Sequence, residues 1–160
     1  MANKRRKARE AALQILYMHD LGKPEKLPVA IRRYWENDWV VESDCHLCTE
    51  DCRDRGKPKS RFSSPVNRLA EIPFAEQLAS GVLEHLKEID QEIEERSHHW
   101  KLSRMSFIDR NILRIALYEL IFCDDIPPNV SINEAIEVAK TYGDKNSAAF
   151  INGILDQVKK

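Results

Sequence analysis

Five cations in the first nine residues are the clearest candidates for a chemical role: Lys4, Arg5, Arg6, Lys7 and Arg9. Positive charges at the start of a helix oppose the helix dipole, so a sequence shaped only for stability would place acids there. The whole chain has a net charge of −1, so removing these five charges leaves −6 on the other 151 residues. A basic arm on an acidic body predicts an anionic partner, with nucleic-acid phosphate as the first candidate. The alternative is a frayed, solubilising start to the chain.

An aromatic residue follows the basic arm at helical spacing. Tyr17 lies two turns beyond Arg9, close to the same side of the predicted helix. An exposed aromatic ring near cations can stack on an unpaired base. On the residues alone, a role for Tyr17 at the edge of the core is the favoured alternative.

A second set of reactive side chains is the cysteine group Cys45, Cys48 and Cys52, with His46 between the first two. Cys45 and Cys48 have the spacing of a zinc knuckle, but a structural zinc site needs four ligands and no second pair at this spacing exists. Asp44, Glu50 or Cys123 would have to supply the fourth ligand. We expect a reduced loop without metal, and keep a metal- or redox-responsive interaction protein as the alternative function.

The sequence gives no sign of a catalytic site. His98 and His99 are adjacent, and neighbouring helical positions do not face each other. The chain has only five glycines, which is too few to indicate a phosphate-binding loop. It also lacks the nucleophile motif of a hydrolase. We therefore expect a protein that is not an enzyme and needs no cofactor.

Composition indicates one globular domain over residues 1–160. The chain has a mass of 18.6 kDa, with 42% apolar and 32% charged residues. No stretch approaches the ~18 apolar residues of a membrane span, and the basic start lacks the apolar core of a secretory signal. These features predict a cytoplasmic location.

Helical periodicity runs through most of the chain and predicts an all-α bundle of six to seven helices. The expected helices cover residues 4–21, a segment from about 28, 73–97, a segment from 106 to about 120, 131–142 and a last segment through 158. Residues 41–65 break the pattern and predict a surface insertion that carries three of the cysteines. Ser106 predicts an N-cap, Ser131 with Glu134 predicts a capping box, and Gly143 predicts a C-terminal stop.

Several segments, in order, resemble the NusB family of bacterial transcription antitermination factors. The first is Arg-Arg-Lys-Ala-Arg-Glu-Ala-Ala-Leu-Gln-Ile-Leu-Tyr at 5–17. In the second half, Trp100, Leu102 and Arg104 precede Ile-Asp-Arg-Asn-Ile-Leu-Arg-Ile-Ala-Leu-Tyr-Glu-Leu at 108–120. Ile-Pro-Pro at 126–128, Ile-Asn-Glu-Ala-Ile-Glu at 132–137 and Phe-Ile-Asn-Gly-Ile-Leu-Asp at 150–156 follow. The resemblance covers residues 4–24 and 72–158, and the C-terminal segments are its most specific part.

This resemblance implies a fold of two packed helical subdomains and a role in transcription. It implies binding to boxA, a short single-stranded RNA in ribosomal RNA leaders, together with the small-subunit ribosomal protein NusE. The pair would join other Nus factors on RNA polymerase and suppress premature termination.

The family pattern also implies which residues bind. Asp109 matches an acidic residue of the NusE-binding face. The implied RNA-binding residues are Lys4, Arg5, Arg6, Lys7, Arg9, Tyr17, Tyr142, Asn146 and Phe150. Three departures stand out: the weakly matched second helix, the insertion at 41–65, and Lys145 with Asn146, where family members usually carry acids.

Overall fold

The computed structural model describes residues 2–22, 72–97 and 100–158. These ranges contain α-helices and one short 3-10 helix but no strand, which confirms the all-α prediction. The helices are α1 (Ala2–Leu21), α2 (Ile72–Glu84), α3 (Leu86–Arg96), the 3-10 helix (Leu102–Arg104), α4 (Phe107–Phe122), α5 (Pro128–Tyr142) and α6 (Ser147–Leu155). The predicted second helix and the insertion at 41–65, with Cys45, Cys48 and Cys52, lie outside the described residues. None of the described helices is long and apolar enough to cross a membrane.

Helix α4 lies at the centre of the described bundle, in contact with α1, α2, α3, α5 and α6. Seven consecutive residues, 111–117, are buried, so this helix is enclosed on most of its circumference. Its apolar members pack with Leu13 and Ile15 of α1 and with Leu155 of α6 in one continuous core.

Two arginines in α4 are held by acids from other helices. The Arg114 guanidinium donates to both carboxylate oxygens of Asp90 at 2.7 and 2.8 Å, and to Asp20 at 3.1 Å. Asp20 also accepts from Arg110 at 2.9 Å and from the Asn111 amide at 3.0 Å. Because Asp20 ends α1 and Asp90 lies in α3, these bonds fix both helices against α4.

The single long helix predicted over residues 73–97 is wrong, because the structure divides it at His85. This residue has φ −101° and ψ 19°, and its ring stacks on Phe122 with the ring centres 4.0 Å apart. The hydrogen bond from the His85 N–H to the Gly81 carbonyl persists at 3.0 Å. Apolar residues recur at three- and four-residue spacing on both sides of His85. The periodicity of the sequence therefore gives no sign of the break.

The cap predictions have mixed outcomes. Ser106 is confirmed as the N-cap of α4, since its hydroxyl accepts from the Asp109 N–H at 3.0 Å. The capping box at Ser131 and Glu134 is wrong, because α5 already begins at Pro128, with the extended Pro127 before it. Proline is well suited to the first turn of a helix, where its missing N–H costs nothing. Ser131 is therefore interior and buried.

Gly143 ends α5 as predicted, but not through a left-handed backbone. Its φ is −83° and its ψ −178°, an extended conformation open to any residue. A Cβ atom there would lie 2.5 Å from the Ser147 Cβ and 2.8 Å from the Ala139 carbonyl oxygen. The tight approach of the start of α6 to the end of α5 therefore explains the glycine.

Candidate RNA interface

The basic arm forms the first two turns of α1, and its five cations differ sharply in exposure. Lys4 and Arg5 are exposed, whereas Arg6 and Lys7 are half-buried. Arg9 is 4% exposed. The helix thus turns part of the arm toward solvent and part toward the bundle. Arg5 and Arg9 are four residues apart and lie on the same side of α1, yet only Arg5 is accessible.

Arg9 forms a buried ion pair with Glu119 of α4. Its Nε and Nη2 atoms donate to the two carboxylate oxygens at 2.7 and 3.0 Å, and Glu119 is 1% exposed. Two parallel charge-assisted bonds of this kind are strong and geometrically specific. All the same, the pair is enclosed in the bundle, beside a cavity of about 10 Å³ lined in part by Ser131. Arg9 therefore joins α1 to α4 and does not reach the surface.

Arg6 is shared between the surface and α5. Its Nε and Nη2 donate to the Glu134 carboxylate at 2.8 and 2.9 Å, and a third nitrogen lies 3.8 Å from Glu137. The hydrogen bond that Arg6 donates to Glu134 raises the pKa of Arg6, so this side chain stays charged. On α5, the Lys140 ammonium lowers the pKa of Glu137 through a 2.7 Å hydrogen bond. Arg6 is thus partly neutralised by acids of the same protein.

Arg5 and Tyr17 each meet an aromatic neighbour. The Arg5 guanidinium lies 5.4 Å from the centre of the Phe74 ring, within the range of a cation–π contact. Tyr17, half-buried, meets Phe107 edge-on with the ring centres 6.3 Å apart. Eleven residues separate Arg6 from Tyr17, so the helix places them about 16 Å apart along its axis. The arm and Tyr17 therefore occupy opposite ends of α1.

Tyr142, Asn146 and Phe150 lie where α5 passes into α6. Tyr142 is 4% exposed, and its hydroxyl donates to Glu10 of α1 at 2.9 Å. Asn146 is exposed, and Phe150 is half-buried one turn later. The bond from Tyr142 and the bonds of Arg6 both connect α1 with α5. The structure therefore places Arg6 beside the middle of α5 and Glu10, one turn later on α1, beside its end, whereas Tyr142 itself offers little surface.

Asp109 lies in the first turn of α4, two residues after the Phe107 ring that Tyr17 contacts. One of its carboxylate oxygens is buried and has no hydrogen-bond partner within the described part of the chain. Asp109 and Tyr17 thus belong to the end of the bundle away from the basic arm. Among the described residues, no group of three or more histidine, cysteine or acidic side chains could hold a metal ion.

Comparison with known proteins identifies the family. The sequence profile of the NusB family matches residues 59–160. The chain belongs to the NusB family. A curated NusB relative, "Transcription antitermination protein NusB" of Desulfitobacterium hafniense, is 42% identical over 155 residues, covering 96% of this chain and 86% of its own. The protein of the same name from Geobacter sulfurreducens is 42% identical over 154 residues, with 96% and 92% covered.

Solved structures of the NusB family have the same fold. NusB of T. maritima superposes with a TM-score of 0.70 at 33% identity, covering 96% of this chain and 89% of that one. A NusB chain in a crystal structure of NusB and NusE with double-stranded RNA superposes with a TM-score of 0.70 at 24% identity, with 99% and 97% covered. At this identity the second comparison shows the fold alone. These NusB relatives give no support to the metal- or redox-responsive alternative.

Sequence reasoning missed the acids that hold the basic arm. Glu119 and Glu134 lie 110 and 128 residues from their arginine partners. No local pattern connects such distant residues. Glu119 carried one usable signal, since it is a lone acid in the otherwise apolar second half of α4, a position that demands a buried partner.

Proposed function

We propose that this protein is an RNA-binding transcription antitermination factor that binds boxA-type single-stranded RNA in ribosomal RNA leaders together with NusE. The observation that carries the proposal is the packing of α1 along α5, with Arg6 beside Glu134 and Glu10 beside Tyr142. That arrangement places exposed cations and an exposed amide on neighbouring elements. Relatives at 42% identity are named transcription antitermination proteins, and a structure with the same fold was crystallised with NusE and double-stranded RNA.

Within the arm, we assign the phosphate contacts to Lys4, Arg5 and Lys7. These cations have no acidic partner among the described contacts that would compete with a phosphate. Arg6 contributes only when RNA competes with Glu134 for its guanidinium. Arg9 supports the site indirectly, since its buried bond to Glu119 sets the position of α1.

At the α5–α6 end, Asn146 and Phe150 supply an amide and an aromatic ring to the RNA. Tyr142 positions α5 against α1 through Glu10 and contributes only the edge of its surface. Tyr17 lies at the far end of α1 and stacks on a base only if the RNA follows that helix. The protein acts in the cytoplasm, with other Nus factors and RNA polymerase as its further partners.

The NusE-binding surface includes Asp109, in the first turn of α4. Asp109 is partly exposed, which leaves its negative charge accessible to a cationic group of the partner. An anionic first turn of α4 also favours a cationic partner surface. RNA and NusE would then bind at opposite ends of α1 and could be held at the same time.

Direct binding measurements test this function. Fluorescence anisotropy of labelled boxA-type RNA should show binding by the protein alone and tighter binding when NusE is added. Asp109→Lys should weaken NusE pairing by about 1–3 kcal/mol, because it reverses a charge at the contact. The RNA affinity of the isolated protein should stay the same.

Asp124→Lys is the matched control, since it reverses an exposed acid just beyond the other end of α4. It should leave NusE pairing unchanged. Equal losses of RNA and NusE binding in Asp109→Lys would indicate damage to the fold, and would remove Asp109 from the partner surface. Absence of RNA binding with and without NusE would contradict the proposed function.

A further inference from the structure

Trp100 is a large apolar side chain on the surface of the described bundle, with 55% of it exposed. It lies between α3 and the 3-10 helix, and its backbone is held on both sides by Ser97. The Trp100 N–H donates to the Ser97 carbonyl at 2.6 Å, and the Ser97 hydroxyl donates to the Trp100 carbonyl at 2.8 Å. Ser97 itself is buried. The structure therefore holds an exposed indole on a fixed backbone, although a polar residue would suit that exposure better.

The Trp100 ring lies beside the proposed RNA surface. It meets the Phe150 ring at 69°, with the ring centres 5.9 Å apart. Phe150 in turn follows Asn146 by one helical turn, and its N–H donates to the Asn146 carbonyl at 3.0 Å. An edge-type contact does not cover the full faces of both rings. Trp100 thus continues the surface of Asn146 and Phe150 and keeps ring area open to solvent.

The residues that follow Trp100 suit a nucleic acid. Lys101, Ser103 and Arg104 are all exposed. An aromatic ring flanked by cations is the arrangement that binds single strands, because bases stack on the ring while the cations meet the phosphates. A protein-docking surface needs a contiguous apolar patch. The other large exposed apolar side chains in the described part, Leu21, Ile121 and Val130, lie on other elements.

We propose that Trp100 is a base-stacking platform that extends the RNA surface beyond Phe150. It binds an unpaired base of the single strand, and Lys101 and Arg104 meet the neighbouring phosphates. This inference rests on the proposed function and adds a specific stacking residue to it. Because any base has a face to stack on, the contact strengthens binding with little preference for sequence.

Two substitutions at Trp100 separate stacking from apolar bulk. Trp100→Leu keeps an apolar side chain without a ring face, and we expect it to weaken binding of boxA-type RNA about tenfold. Trp100→Phe keeps a ring and should weaken binding less than about threefold. Val130→Ala is the control, because it removes an exposed apolar side chain at the start of α5 and should not change RNA affinity. Thermal melting of each variant shows whether the fold is intact.

Tryptophan emission gives a second, independent readout. RNA should quench the emission of the wild-type protein through stacking on Trp100. Trp100→Phe retains Trp35 and Trp39, and in this variant most of the quenching should be lost. Equal quenching in the two proteins would overturn the inference.

The outcomes distinguish this inference from the proposed function. If Trp100→Leu binds RNA as tightly as the wild type, the stacking role is wrong and the proposed function stands. If Trp100→Leu loses NusE pairing in the absence of RNA but keeps its RNA affinity, Trp100 belongs to a protein interface and the inference is again overturned. If the wild-type protein binds no boxA-type RNA, with or without NusE, the proposed function itself fails.

Discussion

Asn146 shows how one side chain can set the charge of the RNA surface. It occupies the N-cap position of α6, yet within the described structure its side chain makes no capping hydrogen bond. The Ser147 hydroxyl instead accepts from the Asp144 N–H at 2.8 Å. Asn146 is therefore exposed, and its side chain does not cap the helix. Lys145 beside it is exposed as well, so neither of these two positions carries an acid.

Asn146→Asp should weaken RNA binding severalfold at low salt, because it places a carboxylate near the phosphates. The difference should shrink as salt rises, since exposed charges are screened within about 10 Å at 0.1 M ionic strength. Stability should not fall, because Asp and Asn are equally good at an N-cap and an acid suits a helix N-terminus. Anisotropy titrations at several salt concentrations, with thermal melting alongside, measure both effects.

Asn129→Asp is the matched control for this substitution. It makes the same change in charge at an exposed position in the first turn of α5, at the opposite end of that helix from α6. RNA affinity should respond far less there than at Asn146. Equal affinities for Asn146→Asp and the wild type at low salt would mean that position 146 does not sense the charge of the RNA.

At the scale of elements, the contact between α2 and α4 depends on Gly81. A Cβ atom at this position would lie 2.0 Å from the ring of Tyr118. The ring has little room to move away, because it stacks on Phe122 with the ring centres 5.5 Å apart. The two helices can approach this closely only because residue 81 has no side chain.

Gly81→Ala should therefore destabilise the protein by about 1–3 kcal/mol through overpacking. In a Tyr118→Leu background the same change should become neutral or stabilising, because alanine favours a helix by about 1 kcal/mol over glycine. Gly153→Ala in α6 is the control, since no atom lies within 4 Å of its added Cβ, and it should raise stability. Urea unfolding of the four variants measures these differences. A stable Gly81→Ala protein with wild-type Tyr118 would contradict the argument.

The elements that sequence predicted well carry their signals locally. Ser106 marks the start of α4 because its hydroxyl bonds to a backbone N–H only three residues later. The break at His85 and the early start of α5 could not be predicted in this way. His85 is set by its stacking on Phe122, a contact between distant residues. At α5, both Pro128 and the capping-box pattern of Ser131 and Glu134 favour a helix start, and the helix begins at Pro128. The Glu134 carboxylate accepts a hydrogen bond from Arg6 and does not cap the helix.

The candidate site was predictable in composition but not in geometry. The cations of the arm were predicted from their place at the start of a helix, whereas Tyr142 and Phe150 were predicted only through the family resemblance. Which cation faces solvent depends on how α1 packs, and that depends on acids more than a hundred residues away. Trp100 was visible only as part of a family pattern. Its exposure and its contact with Phe150 become evident only in the folded chain.

At the scale of the whole molecule, the basic arm serves binding and folding through different residues. Arg9 is buried against Glu119, and Arg6 is bound to Glu134. The charge available to an anionic ligand is therefore smaller than the five cations of the sequence suggest. Lys4, Arg5 and Lys7 remain available to the ligand. The 151 residues that follow the first nine carry a net charge of −6. Binding should thus depend on salt less steeply than five phosphate contacts would require.

Alanine substitutions within the arm should separate these two roles. Lys4→Ala with Arg5→Ala should flatten the log–log dependence of RNA affinity on salt by about 1.4 units, because each single-strand phosphate contact contributes about 0.7. Stability should change by no more than about 1 kcal/mol, the worth of the Arg5 contact with Phe74. Arg9→Ala should instead destabilise the protein by about 3–5 kcal/mol, since it leaves Glu119 buried without its partner.

The salt slope and the unfolding free energy together decide between the two roles. Where the Arg9→Ala protein remains folded, its salt slope should match that of the wild type, because Arg9 meets no phosphate. Replacing Glu119 by Gln in the Arg9→Ala protein should recover part of the lost stability, since an uncharged amide is less costly to bury than a carboxylate. If Arg9→Ala flattens the salt dependence of RNA affinity and leaves the free energy of unfolding unchanged, the Arg9–Glu119 pair opens to bind RNA. Arg9 would then be a phosphate-binding residue.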